Sequence, residues 1–292
     1  GNESGFEKAG FGISWSNEID KYACKTYRLN HPNHRLIEED IYKLDPKHLK
    51  AVDVLVGGFP CQAFSVAGYR KGFGDSRGNL FFEITRFIDK LKTKPKALML
   101  ENVKNLSGHD NGRTRKIIEK TLKDFGYYVH WKIYNTFKYT DIPQNRERTI
   151  IVCFRNKKSY SYYLNNPIQK VSSIKPISAM LEKNKINDRY YYFQDAYNYK
   201  ELKKSIIRRD TLYQWRRIYV RENQSNLCPT LTANMGTGGH NVPLLLDDVG
   251  IRKLTPKECF NFQGFNKIKF PKDVPNTQLY KQAGNSVTLK LM

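Results

Sequence analysis

From its first residues to about Phe154 the chain alternates short apolar runs with longer amphipathic stretches. The segments "GISWSN", "VDVLVGG" and "ALMLEN" have the apolar character of buried strands. Between and after them, "EIDKYACKTYRLN", "NLFFEITRFIDKLK" and "TRKIIEKTLKDFG" repeat apolar positions at helical spacing, the last closed by Gly126. Two more strand candidates follow, "YYVHWKIYN" and "RTIIVCF". Repeated strand–helix units predict an α/β fold with a mostly parallel, doubly wound sheet and helices on both faces. Ligands of such folds gather at the carboxyl ends of strands. Glu18, Cys61 and Glu101 each fall just past one.

After Arg155 the pattern breaks. "NKKSYSYYLNNP" is polar and tyrosine-rich, the character of a connection. Residues 183–222 carry 11 Lys or Arg against 5 acids, interleaved with "YYYF", Tyr197, Tyr199, Tyr213, Trp215 and Tyr219. Basic residues mixed with aromatics suit a surface that follows a phosphate backbone and packs on bases. A small domain whose aromatics form its own core has the same composition.

Charge narrows the class of partner. The 292 residues hold 50 Lys and Arg against 28 Asp and Glu, a formal charge of +22, and the isoelectric point is about 9.7. Such a field attracts polyanions, nucleic acid above all. A mean hydropathy of −0.65 and the absence of long apolar runs exclude a helical membrane span. The start "GNESGFEKAGFG" lacks a signal-peptide pattern, which points to the cytoplasm. The cysteines are Cys24, Cys61, Cys153, Cys228 and Cys259, odd in number and widely spaced with no C-x-x-C. They fit neither a disulfide framework nor a zinc site, so a reducing compartment and no metal are expected. Cys24 and Cys153 stand in apolar surroundings and read as buried structural thiols.

Cys61 has a different setting. It follows Gly57, Gly58, Phe59 and Pro60 at a strand end, where glycines let a ligand approach and proline stiffens the backbone. Backbone N–H groups near a helix start favour the nucleophilic thiolate. The stretch "SVAGYRKGFGDSRGN" then gives a glycine-punctuated loop with Arg70, Lys71 and Arg77, a composition suited to a flap closing over an anionic substrate. "ENV" offers Glu101 at the next strand end, and "QNRER" supplies Arg146 and Arg148 ahead of "TIIVCF".

"GGFPCQAFSVAG", "ENVKNLSGHDNG", "IPQNRER", "RKLTPKECFNFQGF" and "QAGNSV" occur in this order. Together they resemble the cytosine-5 DNA methyltransferases, most closely the single-chain bacterial enzymes of restriction–modification systems. The resemblance spans the chain except for about residues 157–226. It implies the S-adenosylmethionine-dependent methyltransferase fold, with residues 1–170 plus 280–292 as catalytic and cofactor-binding domain and 171–279 as target-recognition domain and hinge. It also implies a chemistry. Cys61 would add to C6 of cytosine, Glu101 would hold N3 and favour a proton there, and Arg148, with Arg146 nearby, would contact O2. C5 would then take the methyl group of S-adenosylmethionine, leaving S-adenosylhomocysteine. Because a stacked base is inaccessible, the target nucleotide would be flipped out of the duplex.

The same resemblance assigns the cofactor site. Gly1 corresponds to the last glycine of the family's first cofactor block, and the expected final helix is cut short at Met292. Glu18 would take the ribose hydroxyls, with Ile19 against the adenine, although many relatives carry an aromatic there. Asp40 and Ile41 would lie beside the adenine, and Pro60, Leu80, Asn285 and Ser286 would line the pocket. DNA contacts would come from Gln62, Ser65, Arg77, Arg208, Arg209, Arg216, Arg217 and the pair Thr230-Leu231. The implied partner is double-stranded DNA, bound by a monomer whose cognate restriction endonuclease works without direct contact. Two alternatives stay open: a tRNA methyltransferase of the same family, and an inactive DNA-binding relative. The basic region and Thr230-Leu231 favour DNA over tRNA. Intact Cys61, Glu101 and Arg148 favour an enzyme.

Overall fold

The computed structural model describes residues 2–60, 80–216, 218–223, 225–237 and 242–292. Helix α1 (Asn2–Lys8) precedes strand β1 (Ser16–Glu18), which pairs in parallel with β2 (Leu36–Glu38). Helix α2 (Lys21–Asn30) connects the two and is capped by Asp20, whose carboxylate accepts from the N–H groups of Tyr22 and Ala23. Next come β3 (Val54–Gly58), α3 (Leu80–Lys90), β4 (Ala97–Val103), α4 (Arg113–Asp124), β5 (Tyr128–Asn135) and β6 (Glu147–Phe154). Each coincides with a predicted segment, and Gly126 closes α4 with φ of 86°.

The four-stranded sheet has the order β3-β4-β6-β5. Strands β3, β4 and β5 run the same way, in keeping with the mostly parallel sheet expected, and β6 is reversed, antiparallel to both its neighbours, which makes the sheet mixed. The cause is the connection after β5, a turn of helix over Thr136–Tyr139 that returns the chain without a crossover. The fold class is nonetheless α/β, and side chains alternate between two cores. Leu98, Leu100, Ile151 and Cys153 point to one face, where Phe81, Phe87 and Ile88 of α3 and Ile118 and Leu122 of α4 cover them. Met99, Ile150 and Val152 point to the other, against Tyr134 and Leu291. The returning C-terminal segment thus closes the face opposite α3 and α4.

Helices α5 (Lys157–Asn165) and α6 (Tyr199–Ser205) lead into an antiparallel sheet of order β10-β9-β7-β8. Its strands are β7 (Tyr213–Arg216), β8 (Tyr219–Glu222), β9 (Leu244–Leu246) and β10 (Ile251–Lys253). Helices α7 (Pro256–Asn261) and α8 (Asn276–Asn285) follow. A second core unites Leu212, Leu231, Met235, Leu245, Phe260 and Phe262 with Tyr280 and Ala283 of α8. The division expected at residue 280 therefore falls inside a helix. "RKLTPKE" supplies the rivet of this region. Arg252, 2% exposed, donates through both terminal nitrogens to the fully buried Glu258 at 2.8 Å each, and through Nε to Asp247 at 2.6 Å. Glu258 also completes a capping box with Thr255 at the start of α7.

Candidate active site

The carboxyl end of the mixed sheet gathers the chemistry. Gly58 pairs with Glu101 in the β3–β4 register, and a Cβ at Gly58 would meet Glu101 Oε2 at 3.4 Å, an ordinary van der Waals contact. The exit from β3 is fixed in two ways. Phe59 is buried against Phe81, and the Asn102 amide donates to the Phe59 carbonyl at 2.6 Å. The described backbone then ends at Pro60. Cys61, Gln62, Ser65, Arg77, Gly1 and Arg217 lie outside the described residues.

Arg148, at the start of β6, donates from Nε to Glu101 Oε1 at 2.8 Å, and both side chains are largely buried. Burial raises the Glu101 carboxyl above its ordinary range, while Arg148 and then Arg146 pull it back. The result is a carboxyl that can hold a proton beside a fixed cation. Arg146 is near enough to Glu101 to act on its carboxyl, as expected, but its guanidinium is engaged by backbone. It is 2% exposed, and its guanidinium is taken up by backbone: Nη1 donates to the Leu231 carbonyl at 2.7 Å, Nη2 to those of Gly284 and Ser286 at 2.9 and 2.7 Å. It joins its own segment to those that carry Leu231 and Gly284–Ser286.

Thr230 and Leu231 belong to the same seam. Residue Cys228 bridges in parallel to Gln144, Thr230 Oγ1 donates to the Asn145 carbonyl at 2.7 Å, and Leu231 is 2% exposed within the second core. Leu231 therefore packs the interior instead of presenting its side chain to a groove. Arg208 is forked onto Asp210 and also donates to Glu222, and Arg209 is paired with Asp248. Arg216 is exposed at the end of β7. Gln144, which donates to the Phe262 carbonyl at 2.6 Å, and Asn102 were missed from sequence. For Gln144 the signal was its alternation with Arg146 and Arg148 in "QNRER", and for Asn102 its place beside Glu101 in "ENV".

A cavity of about 1490 Å³ adjoins the pair and is lined by Glu18, Ile19, Ile41, Glu101, Asn285 and Ser286, among others. Of the expected pocket residues, Asp40 and Pro60 are not among its described lining, and Leu80 packs toward the first core. Glu18 Oε1 accepts from the N–H groups of Ile19 and Asp20 at 2.8 and 2.9 Å, which holds the carboxylate at the end of β1 with Oε2 available for a diol. Ser14 Oγ and Gln282 Nε2, both at the cavity, are buried without partners among the described residues. An acid at a strand end, apolar walls and orphaned polar atoms fit a nucleoside-bearing cofactor. Cys24 and Cys153 are buried free thiols, Cys24 pushed up to about 12 by burial.

Comparisons with known proteins place the chain in a family. The family model described as C-5 cytosine-specific DNA methylase matches residues 1–292. The Type II methyltransferase M.Bsp6I of Bacillus sp. (strain RFL6) is 48% identical over 295 residues, covering 100% of this chain and 92% of the relative. The Type II methyltransferase M.HhaI of Haemophilus parahaemolyticus is 33% identical, covering 98% and 86%. Among solved structures, a Spodoptera frugiperda DNMT2 mutant superposes with a TM-score of 0.74 at 17% identity, covering 99% of this chain and 93% of that one. S. pombe Dnmt2 superposes with a TM-score of 0.72 at 19% identity, covering 99% and 91%. The strand-end acid, the arginine pair and the adjoining cavity thus sit in a chain that belongs to the C-5 cytosine-specific DNA methylase family, the DNA cytosine-5 methyltransferases that take their methyl group from S-adenosyl-L-methionine.

Proposed function

We propose that this enzyme methylates C5 of a cytosine flipped out of a short specific site in double-stranded DNA, through a covalent bond between Cys61 and C6. The observation that carries the reading is the buried Glu101–Arg148 pair at the sheet end where the described chain runs up to Cys61. The Cys61 thiolate attacks C6, and Glu101 gives N3 a proton, so the ring carries no net negative charge. Arg148 orients O2 and holds the acid. S-adenosyl-L-methionine supplies the electrophilic methyl group that C5, made enamine-like by the adduct, receives. Loss of the remaining C5 proton to a base then re-forms the C5–C6 double bond and expels the Cys61 thiolate, and N3 returns its proton to Glu101.

Residues 1–170 with the C-terminal end of α8 and the segment after it provide this chemistry, and the region between them grips DNA. Arg146 ties the two together through Leu231, Gly284 and Ser286. The enzyme works as a monomer beside a cognate restriction endonuclease, without direct contact. The test is trapping with 5-fluorocytosine at the target, because fluorine cannot leave C5 as a proton does. Duplex DNA should become covalently attached in the presence of cofactor, tRNA should not, and Cys61→Ser should abolish both the adduct and methyl transfer. Full methylation by Cys61→Ser would overturn the mechanism. Adduct formation on tRNA in place of duplex DNA would overturn the substrate.

A further inference from the structure

Helix α1 meets the end of α2 through a cluster that the methyl-transfer site does not use. His31 caps α2, with its N–H bonded to the Tyr27 carbonyl at 2.8 Å, and His34 follows three residues on, its N–H bonded to the His31 carbonyl at 3.2 Å. The sequence "HPNH" thus forms a short turn carrying two imidazoles, whose rings stack at 4.8 Å. Glu7 of α1 reaches between them. Its Oε1 lies 2.8 Å from His34 Nε2 and its Oε2 lies 3.6 Å from His31 Nδ1. One ligand atom from each of the three residues falls within 4.8 Å of the others.

The outward nitrogens are engaged as well. His34 Nδ1 lies 3.1 Å from the Tyr27 hydroxyl, which lies 2.8 Å from Ser16 Oγ, and His31 Nε2 lies 3.1 Å from Ser4 Oγ. Without an ion, the 2.8 Å contact is a hydrogen bond that His34 Nε2–H donates to the Glu7 carboxylate; an ion in its place would move that proton to Nδ1, with the Tyr27 hydroxyl accepting, and leave Nε2 of His34 and Nδ1 of His31 as inward lone-pair donors. Outer-shell bonds of this kind fix the tautomer of a metal-bound histidine. A tetrahedral centre with bonds near 2.1 Å sets its ligands about 3.4 Å apart, within a small side-chain adjustment of the observed spacing.

We propose that Glu7, His31 and His34 bind a borderline divalent transition-metal ion, zinc by ligand type, which clips α1 to α2 with a fourth position left to water. Two imidazoles and one carboxylate suit zinc, cobalt or nickel, and are too nitrogen-rich for magnesium. The site departs from the metal-free expectation, which rested on cysteine spacing alone. Its place gives it a consequence: His31 lines the same cavity as Phe6, Phe11 and Glu18. A bound ion would hold α1 as one wall of that cavity.

The test is a titration of the full, untagged chain with zinc, cobalt and magnesium in a Cys61→Ser background, so that this thiol cannot supply the signal. One equivalent of zinc should bind, cobalt should give the intense visible absorption of a tetrahedral centre without a thiolate charge-transfer band, and magnesium should not compete. His31→Ala with His34→Ala should remove that equivalent. If this double variant fails to fold, Glu7→Gln should weaken zinc, and Tyr27→Phe should weaken it by about 10- to 100-fold, as loss of an outer-shell partner does. Zinc binding of unchanged stoichiometry and affinity in these variants would overturn the proposal, as would a wild-type chain that takes up no zinc.

Discussion

At Glu101 two opposed effects meet on one side chain. Burial favours the neutral acid, and the guanidinium of Arg148 at 2.8 Å favours the carboxylate. Removing the cation while keeping the packing should therefore move Glu101 further up. In Arg148→Met, carboxyl carbon NMR should show Glu101 titrating at higher pH than in the parent protein, and an unchanged or lowered midpoint would refute the coupling. Arg146 calls for a different measurement. Its two terminal nitrogens satisfy three buried carbonyls, a planar task that an ammonium cannot repeat. Arg146→Lys should cost about 3 kcal/mol in urea unfolding, from carbonyls left without donors. The placement of Glu101 and Arg148 at the sheet end was legible in the sequence because both sit in short motifs beside apolar runs. The carbonyl-binding role of Arg146 was not, since its partners lie 85 to 140 positions away.

Among the elements, those with strong periodicity were the most readable. Helices α3 and α4 and strands β3 to β6 fall where apolar spacing puts them, because each has a sheet or helix face to cover. The reversal of β6 was not readable. It depends on whether the chain crosses over or turns back, and the turn after Asn135 leaves no mark in hydropathy. The short strands β7 to β10 were also hidden, since strands of three or four residues carry little periodicity. Helix α8 shows how tightly elements are joined across this chain. A Cβ on Gly284 would stand 2.2 Å from the backbone of Thr232, a contact that neither segment can relieve by rotating a side chain. Gly284→Ala should thus separate α8 from the segment carrying Leu231, at a cost of about 2 kcal/mol or more in stability. A variant as stable as the parent in denaturant would show that the helix end can shift freely.

Over the whole molecule, a formal charge of +22 sets up a field that duplex DNA should feel at long range. Affinity should then fall steeply with salt, because each phosphate neutralised by Lys or Arg releases condensed counterions. The arginines of the basic region should not contribute equally. Arg208 already faces Asp210 and Glu222, and Arg209 faces Asp248, so these guanidiniums arrive with their own counter-charge. Arg216 stands exposed at the end of β7 with no acidic partner among the described residues. Measured as the slope of log affinity against log salt concentration, Arg216→Gln should reduce the dependence by about one ion. Arg208→Gln should leave the slope where it was and reduce stability only slightly, as loss of an exposed ion pair does. A shallower slope in Arg208→Gln with none in Arg216→Gln would mean that DNA displaces the acids from Arg208, and would move the contact surface to the other end of the β7–β8 hairpin.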